Sequence, residues 1–343
     1  MSETHWLRNR WKLILNIVTI LAMVGLLFAL RNQVADVINN IGSVTWWVLL
    51  LLIPIQAFNY HAQTKMYQSL FSIVGNKLSY KKLFRVSLEL NFVNNVFPSG
   101  GVSGISYFGL RLRDNDVTGA KATLVQLMKL GLLFTSFEVL VLGGLFILAW
   151  ANKVNGLVLL LAGSLSTLMV LGTMAFVYII GNKARINSFF TLVTRGINKI
   201  VRTVIPSKPE TINVAQAREA FDDMHENYLL FRSKLPELRA PFWWALVANA
   251  TEVLAVYSVY VAFGEWVNLG AIILAYSIAN FAGFISVLPG GVGVYEALMT
   301  GVLVIAGVPA ALSIPVVVMY RVLNMAIQLP PGFYFYHKAL REK

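Results

Sequence analysis

Two basic residues lie inside apolar stretches of the sequence, where a charge is stable only beside a polar cavity or a partner. Lys129 lies 28 residues after Gly101, and Arg321 lies 30 residues after Gly291, so both halves of the chain carry a cation at nearly equivalent positions. In a medium of low dielectric constant, Arg binds phosphate through paired hydrogen bonds and Lys binds it as a point charge. We therefore predict that both side chains bind a phosphate-bearing head group. The alternative for Arg321 is that it binds carbonyl groups of a broken helix or pairs with a glutamate.

Acidic residues in the same stretches are candidate counter-charges or proton carriers. Glu252 is a candidate partner for Arg321, and Glu296 is either a counter-charge or a cap at the start of a helix. Glu138 lies about 180° around its helix from Lys129, so these two residues do not pair within one helix. The predicted substrate-binding set is completed by two amides at helical spacing from the arginine, Asn324 and Gln328.

A proline followed by paired glycines occurs twice inside apolar sequence, at 97–104 and at 288–294. Proline removes a backbone donor and interrupts a helix, and paired glycines expose the backbone. In hydrocarbon, such backbone is tolerated only inside protein or beside a water-filled cavity. Two breaks at corresponding places indicate a transport site near the membrane midplane. The residues predicted to shape its cavity are Pro98, Gly100, Gly101, Pro289, Gly290 and Gly291.

The composition is that of an integral membrane protein. Of the 343 residues, 57% are hydrophobic and 13% are charged, and the mean hydropathy of +0.67 excludes the soluble globular class. The apolar runs that predict membrane helices are 13–30, 46–58, 124–150, 157–180, 242–263, 269–288 and 310–336. The first run lacks a cleavage site, which predicts a permanent helix rather than a signal peptide. The chain has no cysteine, which excludes disulfides, zinc-thiolate sites and iron–sulfur clusters.

The net charge of +12 is a topology signal. All but four of the 28 Lys and Arg residues fall in segments that trace to one side of the membrane. An excess of basic residues marks the cytoplasmic side, so both termini are predicted to be cytoplasmic in a multi-pass protein of the plasma membrane, the bacterial inner membrane. The same charge predicts attraction to anionic lipid at that face, and no nucleic acid partner.

Tracing the chain from the cytoplasm predicts an all-α polytopic helical bundle with two re-entrant Pro-Gly-Gly hairpins. Basic residues on both sides of 83–110 place both ends of the first hairpin in the cytoplasm, whereas 269–308 has to begin and end outside. The hairpins therefore enter from opposite faces, which defines an inverted-topology repeat. Two full spans within 269–308 are the alternative.

The predicted organisation is one membrane domain in five parts. These are a first transmembrane helix at 13–30, a first repeat half at 46–150, a linking helix at 157–180, a cytoplasmic linker at 182–240 and a second half at 242–336. Apolar residues of the linker recur at spacings of three and four, which indicates an amphipathic helix. Its basic composition is typical of a helix on an anionic membrane surface, and the simpler interpretation is a connection between the halves.

Enzyme signatures are weak. Asp114 and Asp116 match the Asp-x-Asp pattern of metal-dependent glycosyltransferases, but they occupy an expected turn. The acidic group at 222–226 spreads around a helix, which favours a solvated face over a metal site. The chain has neither a phosphate-binding loop of NTPases nor a hydrolase nucleophile elbow. We expect no catalytic residue, metal or cofactor, and movement that is downhill or coupled to protons or to the membrane potential.

The two breaks and the distal arginine resemble the lysylphosphatidylglycerol synthase transmembrane-domain family. The residues that carry the resemblance are Leu288-Pro289-Gly290-Gly291-Val292-Gly293-Val294-Tyr295-Glu296-Ala297 and Tyr320-Arg321-Val322-Leu323, with Phe97-Pro98-Ser99-Gly100-Gly101 as a looser match. The resemblance extends from about Leu13 to Tyr336. In the best-known members a flippase membrane region is joined to a soluble aminoacyl-transferase domain. The chain ends seven residues after the last span, so the resemblance implies the flippase-like part alone.

The sequence therefore predicts a flippase-like protein, not an enzyme, that moves a phosphate-bearing amphiphilic lipid such as a phospholipid or a polyprenyl-linked lipid between leaflets. One alternative is a membrane enzyme or enzyme subunit of polyprenyl-linked glycan or lipid synthesis that uses Asp114 and Asp116. The other is a non-transporting scaffold that recruits a partner through 182–240. A homo-oligomer and a partner in cell-envelope synthesis both stay open.

Overall fold

The computed structural model describes residues 44–97, 102–204, 214–285 and 291–341, with scattered positions between 21 and 42. Most of the predicted 13–30 helix lies outside these ranges. Five of the residues predicted to shape the cavity also lie outside them: Pro98, Gly100, Gly101, Pro289 and Gly290.

The described residues are helical with short connections and contain no strand, which confirms the all-α class. The helices are α1 (Trp46–Leu49), α2 (Leu52–Ile73), α3 (Tyr80–Val96), α4 (Val102–Leu112), α5 (Gly119–Trp150), α6 (Gly156–Ile180), α7 (Lys183–Val204), α8 (Val214–Ser233), α9 (Arg239–Ala262), α10 (Leu269–Ile285), α11 (Val294–Ile305) and α12 (Ala310–Arg341). Short 3₁₀ turns at Arg113–Asn115 and Leu235–Leu238 precede α5 and α9.

Four segments of the described chain are long and apolar enough to cross a membrane: Gly119–Trp150, Gly156–Ile180, Leu235–Ala262 and Ala310–Arg341. The protein is therefore a multi-pass membrane protein. Helix α2 is too polar to be counted by composition, because it carries Gln56, Asn59 and Gln63, and the first two of these are buried inside the bundle.

Side-chain caps set where several helices begin. The Ser79 hydroxyl accepts a hydrogen bond from the Lys82 amide at the start of α3. Thr118 caps α5 and Asn155 caps α6 in the same way. Each cap satisfies a backbone donor that a helix N-terminus leaves unpaired. The helix boundaries thus follow from local sequence, even where the apolar runs continue.

Helices α2–α5 and α9–α12 form two series of matched lengths. The first series has 22, 17, 11 and 32 residues, and the second has 24, 17, 12 and 32 residues. Helix α2 packs against α9, its counterpart. Helix α3 packs against α12, and its counterpart α10 packs against α5. The long last helix of each series therefore packs against the second helix of the other series.

Glycines allow close approach at both of these crossings. A Cβ atom at Gly270 of α10 would lie 2.2 Å from the Gly144 carbonyl oxygen of α5. A Cβ atom at Gly332 of α12 would lie 2.7 Å from the Leu88 carbonyl oxygen of α3. Small residues at helix crossings are the usual device for close packing in membranes. Three prolines also lie within α12, at 315, 330 and 331.

Helices α7 and α8 occupy the predicted linker and pack against each other. Ile186 of α7 is buried, as are Met224 and Phe231 of α8. Helix α8 also packs against α5, so at least this helix is attached to the bundle rather than separate from it.

Candidate functional site

A polar cavity of about 420 Å³ lies between the two halves of the bundle. Its walls come from α2, α3, α4, α5, α9, α10, α11 and α12, so both series contribute. Among the described residues, the charged side chains that line it are Lys129, Glu252 and Arg321. The neutral polar side chains are Asn59, Gln63, Tyr67, Ser87, Asn91, Asn94, Asn95, Gln126, Asn249, Tyr276, Asn280 and Tyr295.

Described residues at the edges of both proline-glycine breaks line this cavity. Phe97, immediately before the first break, lines it together with Gly104, and Gly291 lines it from the second break. Gly291 and Gly293 have φ angles of 66° and 87°, a region that favours glycine, and α11 begins directly after them. Of the residues predicted to shape a cavity, Gly291 lines it, and for the five outside the described ranges this role stays a prediction.

Helix α2 supplies a stripe of amides that connects the cavity to α9. The Asn59 side-chain amide donates to the Ala248 carbonyl oxygen at 2.8 Å and to the Thr251 hydroxyl at 3.0 Å. Gln63 donates to the Asn59 side-chain oxygen at 2.6 Å. Burial of polar groups in a membrane requires such pairing, and here the pairing orients the amides along one face of α2.

Lys129 of α5 lies at one end of this stripe. Its ammonium group donates to the Gln63 side-chain oxygen at 3.2 Å and to the Tyr67 hydroxyl at 3.0 Å, and it lies 4.6 Å from the centre of the Tyr67 ring. Tyr67 in turn donates to the Gln126 side-chain oxygen at 3.0 Å. Within the described chain, no carboxylate lies within 4 Å of Lys129. The cation is therefore held by neutral groups.

Arg321 of α12 has a different environment. Its Nε atom lies 3.2 Å from Glu296 Oε1, and both side chains are 11% exposed. Its guanidinium carbon lies 4.4 Å from the centre of the Tyr295 ring. The second carboxylate oxygen of Glu296 accepts a hydrogen bond from the Gly293 amide at 2.6 Å. Glu296 thus both caps α11 and pairs with Arg321, which joins the second hairpin to the long helix that follows.

Glu252 of α9 is held by neutral donors. Its Oε2 atom accepts hydrogen bonds from the Tyr320 hydroxyl at 2.8 Å and from the Gln56 amide at 3.2 Å. No cation lies within 4 Å of it among the described residues. The carboxylate seen to pair with Arg321 is therefore Glu296, not Glu252, although the sequence named Glu252 as the candidate partner.

Asn324 and Gln328 join the same network without lining the cavity. Gln328 donates to the side-chain oxygens of Gln56 at 2.8 Å and Asn324 at 2.9 Å, and it accepts from Asn91 of α3. Asn324 donates to the Tyr320 hydroxyl at 3.2 Å. Their position favours a role in orienting Glu252 over direct contact with a ligand.

Glu138 does not face the polar cavity. It lines an apolar groove of about 490 Å³ between α5 and α6, together with Met169, Val170 and Met174. One of its carboxylate oxygens is buried without a hydrogen-bond partner among the described residues. The predicted half-turn of separation from Lys129 places it on the other side of α5.

The other sequence candidates have structural partners. Asp222 accepts a hydrogen bond from Asn187 and pairs with Lys183 at 3.0 Å. The hydrogen bond from Asn187, and to a smaller extent the contact with Lys183, lowers the pKa of Asp222 below its usual value. Asp223 accepts from Thr118. In the described chain no group of three or more metal-binding side chains is found. Asp116, of the Asp-x-Asp pair, adopts the left-handed conformation of a turn.

The tyrosines of the cavity wall and the amides of α2 were not among the predicted site residues. The signal in the sequence for the α2 amides was the spacing of Gln56, Asn59 and Gln63 at three and four residues. This spacing places three amides on one face of a helix next to an apolar run.

The fold and the cavity define a polytopic helical membrane protein with a polar site between two halves. The family model of the lysylphosphatidylglycerol synthase TM region matches residues 13–332, and the chain belongs to this family.

Two relatives are both described as UPF0104 membrane proteins. The chain is 34% identical over 92 residues to one from Methanothermobacter thermautotrophicus, a match that covers 27% of this chain and 28% of that protein. It is 20% identical over 241 residues to PH1989 of Pyrococcus horikoshii, which covers 69% of this chain and 70% of the relative. The first match thus spans little more than a quarter of that relative's length.

Proposed function

We propose that this protein moves a phosphate-bearing amphiphilic lipid between the two leaflets of a membrane. The head group would pass through the polar cavity while the hydrocarbon chains stay in lipid. The observation that carries this proposal is Lys129, a cation that lines a cavity inside a membrane bundle and whose partners among the described residues are neutral. An ionised group in such a place usually marks a substrate or ion pathway.

The chemistry of Lys129 favours an anionic ligand. Partial burial of an ammonium group removes part of its hydration, and neutral acceptors replace only some of it. A phosphate oxygen would add a charge-assisted hydrogen bond, which is stronger than a neutral one. Arg321 already has a carboxylate, so Lys129 is the better of the two predicted phosphate ligands.

An inverted-topology repeat would supply the movement. The matched helix lengths of α2–α5 and α9–α12 favour such a repeat. The reciprocal packing of α3 against α12 and of α10 against α5 favours it as well. Helices α4 and α11 are about 16 and 18 Å long at 1.5 Å per residue, shorter than the roughly 30 Å of hydrocarbon, which favours re-entrant hairpins over full spans. Hairpins that enter from opposite faces would open the site alternately to each side.

The proposal is transport rather than catalysis. Both termini and α7–α8 would lie on the cytoplasmic side of the plasma membrane, with the basic residues of α7 close to anionic lipid. A charged head group could use the membrane potential, which contributes about 2.3 kcal/mol per elementary charge per 100 mV.

Lipid scrambling in proteoliposomes tests the proposal. The assay compares wild type with Lys129→Gln and uses phosphatidylglycerol with a fluorescent acyl chain and a labelled polyprenyl phosphate. We expect wild type to move at least one of these lipids, and Lys129→Gln to be slower by about tenfold or more, because it loses a charge-assisted hydrogen bond.

Lys153→Gln is the matched control, since Lys153 is an exposed lysine outside the cavity. It should transport at the wild-type rate. Equal rates for wild type and Lys129→Gln would remove the argument for a phosphate site. Absence of transport, with loss of a lipid-synthesis activity in an Asp114 and Asp116 variant, would favour the membrane enzyme.

A further inference from the structure

The cavity contains two ionisable side chains of opposite sign that do not pair with each other. Lys129 has Gln63 and Tyr67 as partners, and Glu252 has Gln56 and Tyr320. All four partners are neutral. The third charged residue of the wall, Arg321, pairs with Glu296 at 3.2 Å, so it adds little to the net charge at the cavity.

Lys129 and Glu252 each contact an amide of helix α2. Gln63 contacts Lys129 and Gln56 contacts Glu252, and these two amides lie seven residues apart on the same helix. Seven residues correspond to about 10 Å along the helix axis. The amide between them, Asn59, donates to α9, the helix that carries Glu252.

We propose that the site selects a zwitterionic phospholipid, one whose head group carries a phosphate and a primary amine joined by a short linker. The phosphate binds Lys129 and the ammonium group binds Glu252. The two α2 amides that contact these side chains lie about 10 Å apart along the helix axis. A head group of this kind would make one charge-assisted hydrogen bond at each end. The inference rests on the proposed lipid transport and names the substrate class of that same cavity.

Compensation of charge in a medium of low dielectric constant favours such a head group. A purely anionic head group would pair with Lys129 but would bring a second negative charge towards Glu252, and like charges in a poorly solvated site repel strongly. A head group with both charges compensates both side chains at once. The preference for a zwitterionic head group therefore depends on Lys129 and Glu252 together and not on Lys129 alone.

The test compares two lipids that differ in the head group. Phosphatidylethanolamine and phosphatidylglycerol carry the same acyl-chain label, and their scrambling rates are measured for wild type, Glu252→Gln and Glu138→Gln. Glutamine at 252 retains oxygen and nitrogen atoms for the contacts with Gln56 and Tyr320, so the fold is expected to survive. Glu138 is the matched control, because it is an acid on α5 that lines the other groove.

We expect wild type to prefer phosphatidylethanolamine, Glu252→Gln to lose at least about tenfold in the ratio of the two rates, and Glu138→Gln to keep the wild-type ratio. An equal loss for both lipids in Glu252→Gln would overturn the inference and make Glu252 a general structural or proton-carrying group. A wild-type preference for phosphatidylglycerol would also overturn it, while the proposed transport function would stand. Movement of neither lipid, nor of a polyprenyl phosphate, would instead contradict the transport function itself.

A competition experiment separates a lipid from a soluble ligand of the same chemistry. Glycerophosphoethanolamine has the head group without acyl chains, and we expect it to inhibit phosphatidylethanolamine movement only weakly. Inhibition as strong as that by the intact lipid would overturn the assignment to a lipid and indicate a site for a soluble phosphoamine.

Discussion

Lys129 and Arg321 hold nearly the same place in the two halves of the molecule, and their surroundings differ. Lys129 is the eleventh residue of α5, and Arg321 is the twelfth residue of α12, a helix of equal length. Lys129 contacts an amide oxygen and a phenol, whereas Arg321 pairs with the carboxylate that caps α11. Equivalent position therefore does not imply equivalent role.

The difference suggests a division of tasks between the halves. The second half uses its cation to join the hairpin α10–α11 to α12, and the first half joins its hairpin elsewhere, through Arg111 of α4 and Glu89 of α3 at 2.9 Å. This ion pair does not involve Lys129, which contacts neutral groups of α2. We therefore expect Lys129 to be available for a ligand. Replacement of Lys129 should then affect transport, whereas replacement of Arg321 should affect stability.

The largest expected effect is that of Arg321→Ala on stability. Loss of one partner of a buried ion pair leaves Glu296 uncompensated, which costs about 3–5 kcal/mol. We expect a decrease of this size in the free energy of unfolding, measured by titration with a denaturing detergent in mixed micelles. The double variant Arg321→Met with Glu296→Gln should recover part of the loss, because it leaves no unpaired charge. A stability of Arg321→Ala close to wild type would assign Arg321 to the ligand rather than to the hairpin.

A smaller effect is expected at the crossing of α3 and α12. In Gly332→Ala the new methyl group would lie 2.7 Å from the Leu88 carbonyl oxygen and from Phe92 Cβ, so the helices must separate. Overpacking of this kind costs about 1–3 kcal/mol. Gly301→Ala on α11 is the control, since nothing lies within 4 Å of a Cβ atom there, and alanine is the better helix former. The same unfolding titration should rank Gly332→Ala below wild type and Gly301→Ala at or above it.

Lys129→Gln should change stability least among the cavity variants. Glutamine can still hydrogen-bond to Gln63 and Tyr67, so we expect a change in the free energy of unfolding of no more than about 1 kcal/mol. Comparison of the free energies of unfolding of Lys129→Gln and Arg321→Ala then distinguishes the roles of the two cations. A loss for Lys129→Gln as large as that for Arg321→Ala would show that both are structural.

The smallest effect is expected at Asp222, which joins α8 to α7. Its lowered pKa means that its contacts with Asn187 and Lys183 contribute stability above the usual pKa of an aspartate, and that this contribution is lost as pH falls through the lowered value. Asp222→Asn should therefore differ slightly from wild type in thermal unfolding at neutral pH and not at all in strong acid. Because the group is exposed, a large difference at neutral pH would contradict this account.

Much of the architecture was predictable from local sequence. The proline-glycine breaks lie between α3 and α4 and between α10 and α11, and the apolar runs match the long helices α5, α6, α9 and α12. These features depend on residues close together in the chain, such as the caps Ser79 and Thr118, so the sequence alone specifies them.

The partners of the charged residues were not predictable in the same way. Whether Glu252 or Glu296 pairs with Arg321 depends on how α9, α11 and α12 pack, and no local pattern encodes that. The sequence predicted that Glu138 lies half a turn from Lys129, but the contact of that face of α5 with α6 depends on the fold. Lys129 was recognised as a candidate from its place in an apolar run, but its neutral surroundings became evident only from the fold.

The most direct test of the central claim is the scrambling of acyl-labelled lipid by wild-type protein in sealed vesicles. An impermeant reducing agent is added from outside, and the loss of fluorescence is compared with that of protein-free vesicles. The account predicts that bleaching continues beyond the outer-leaflet fraction, faster for phosphatidylethanolamine than for phosphatidylglycerol. Bleaching that stops at the outer-leaflet fraction for every lipid tried would contradict it.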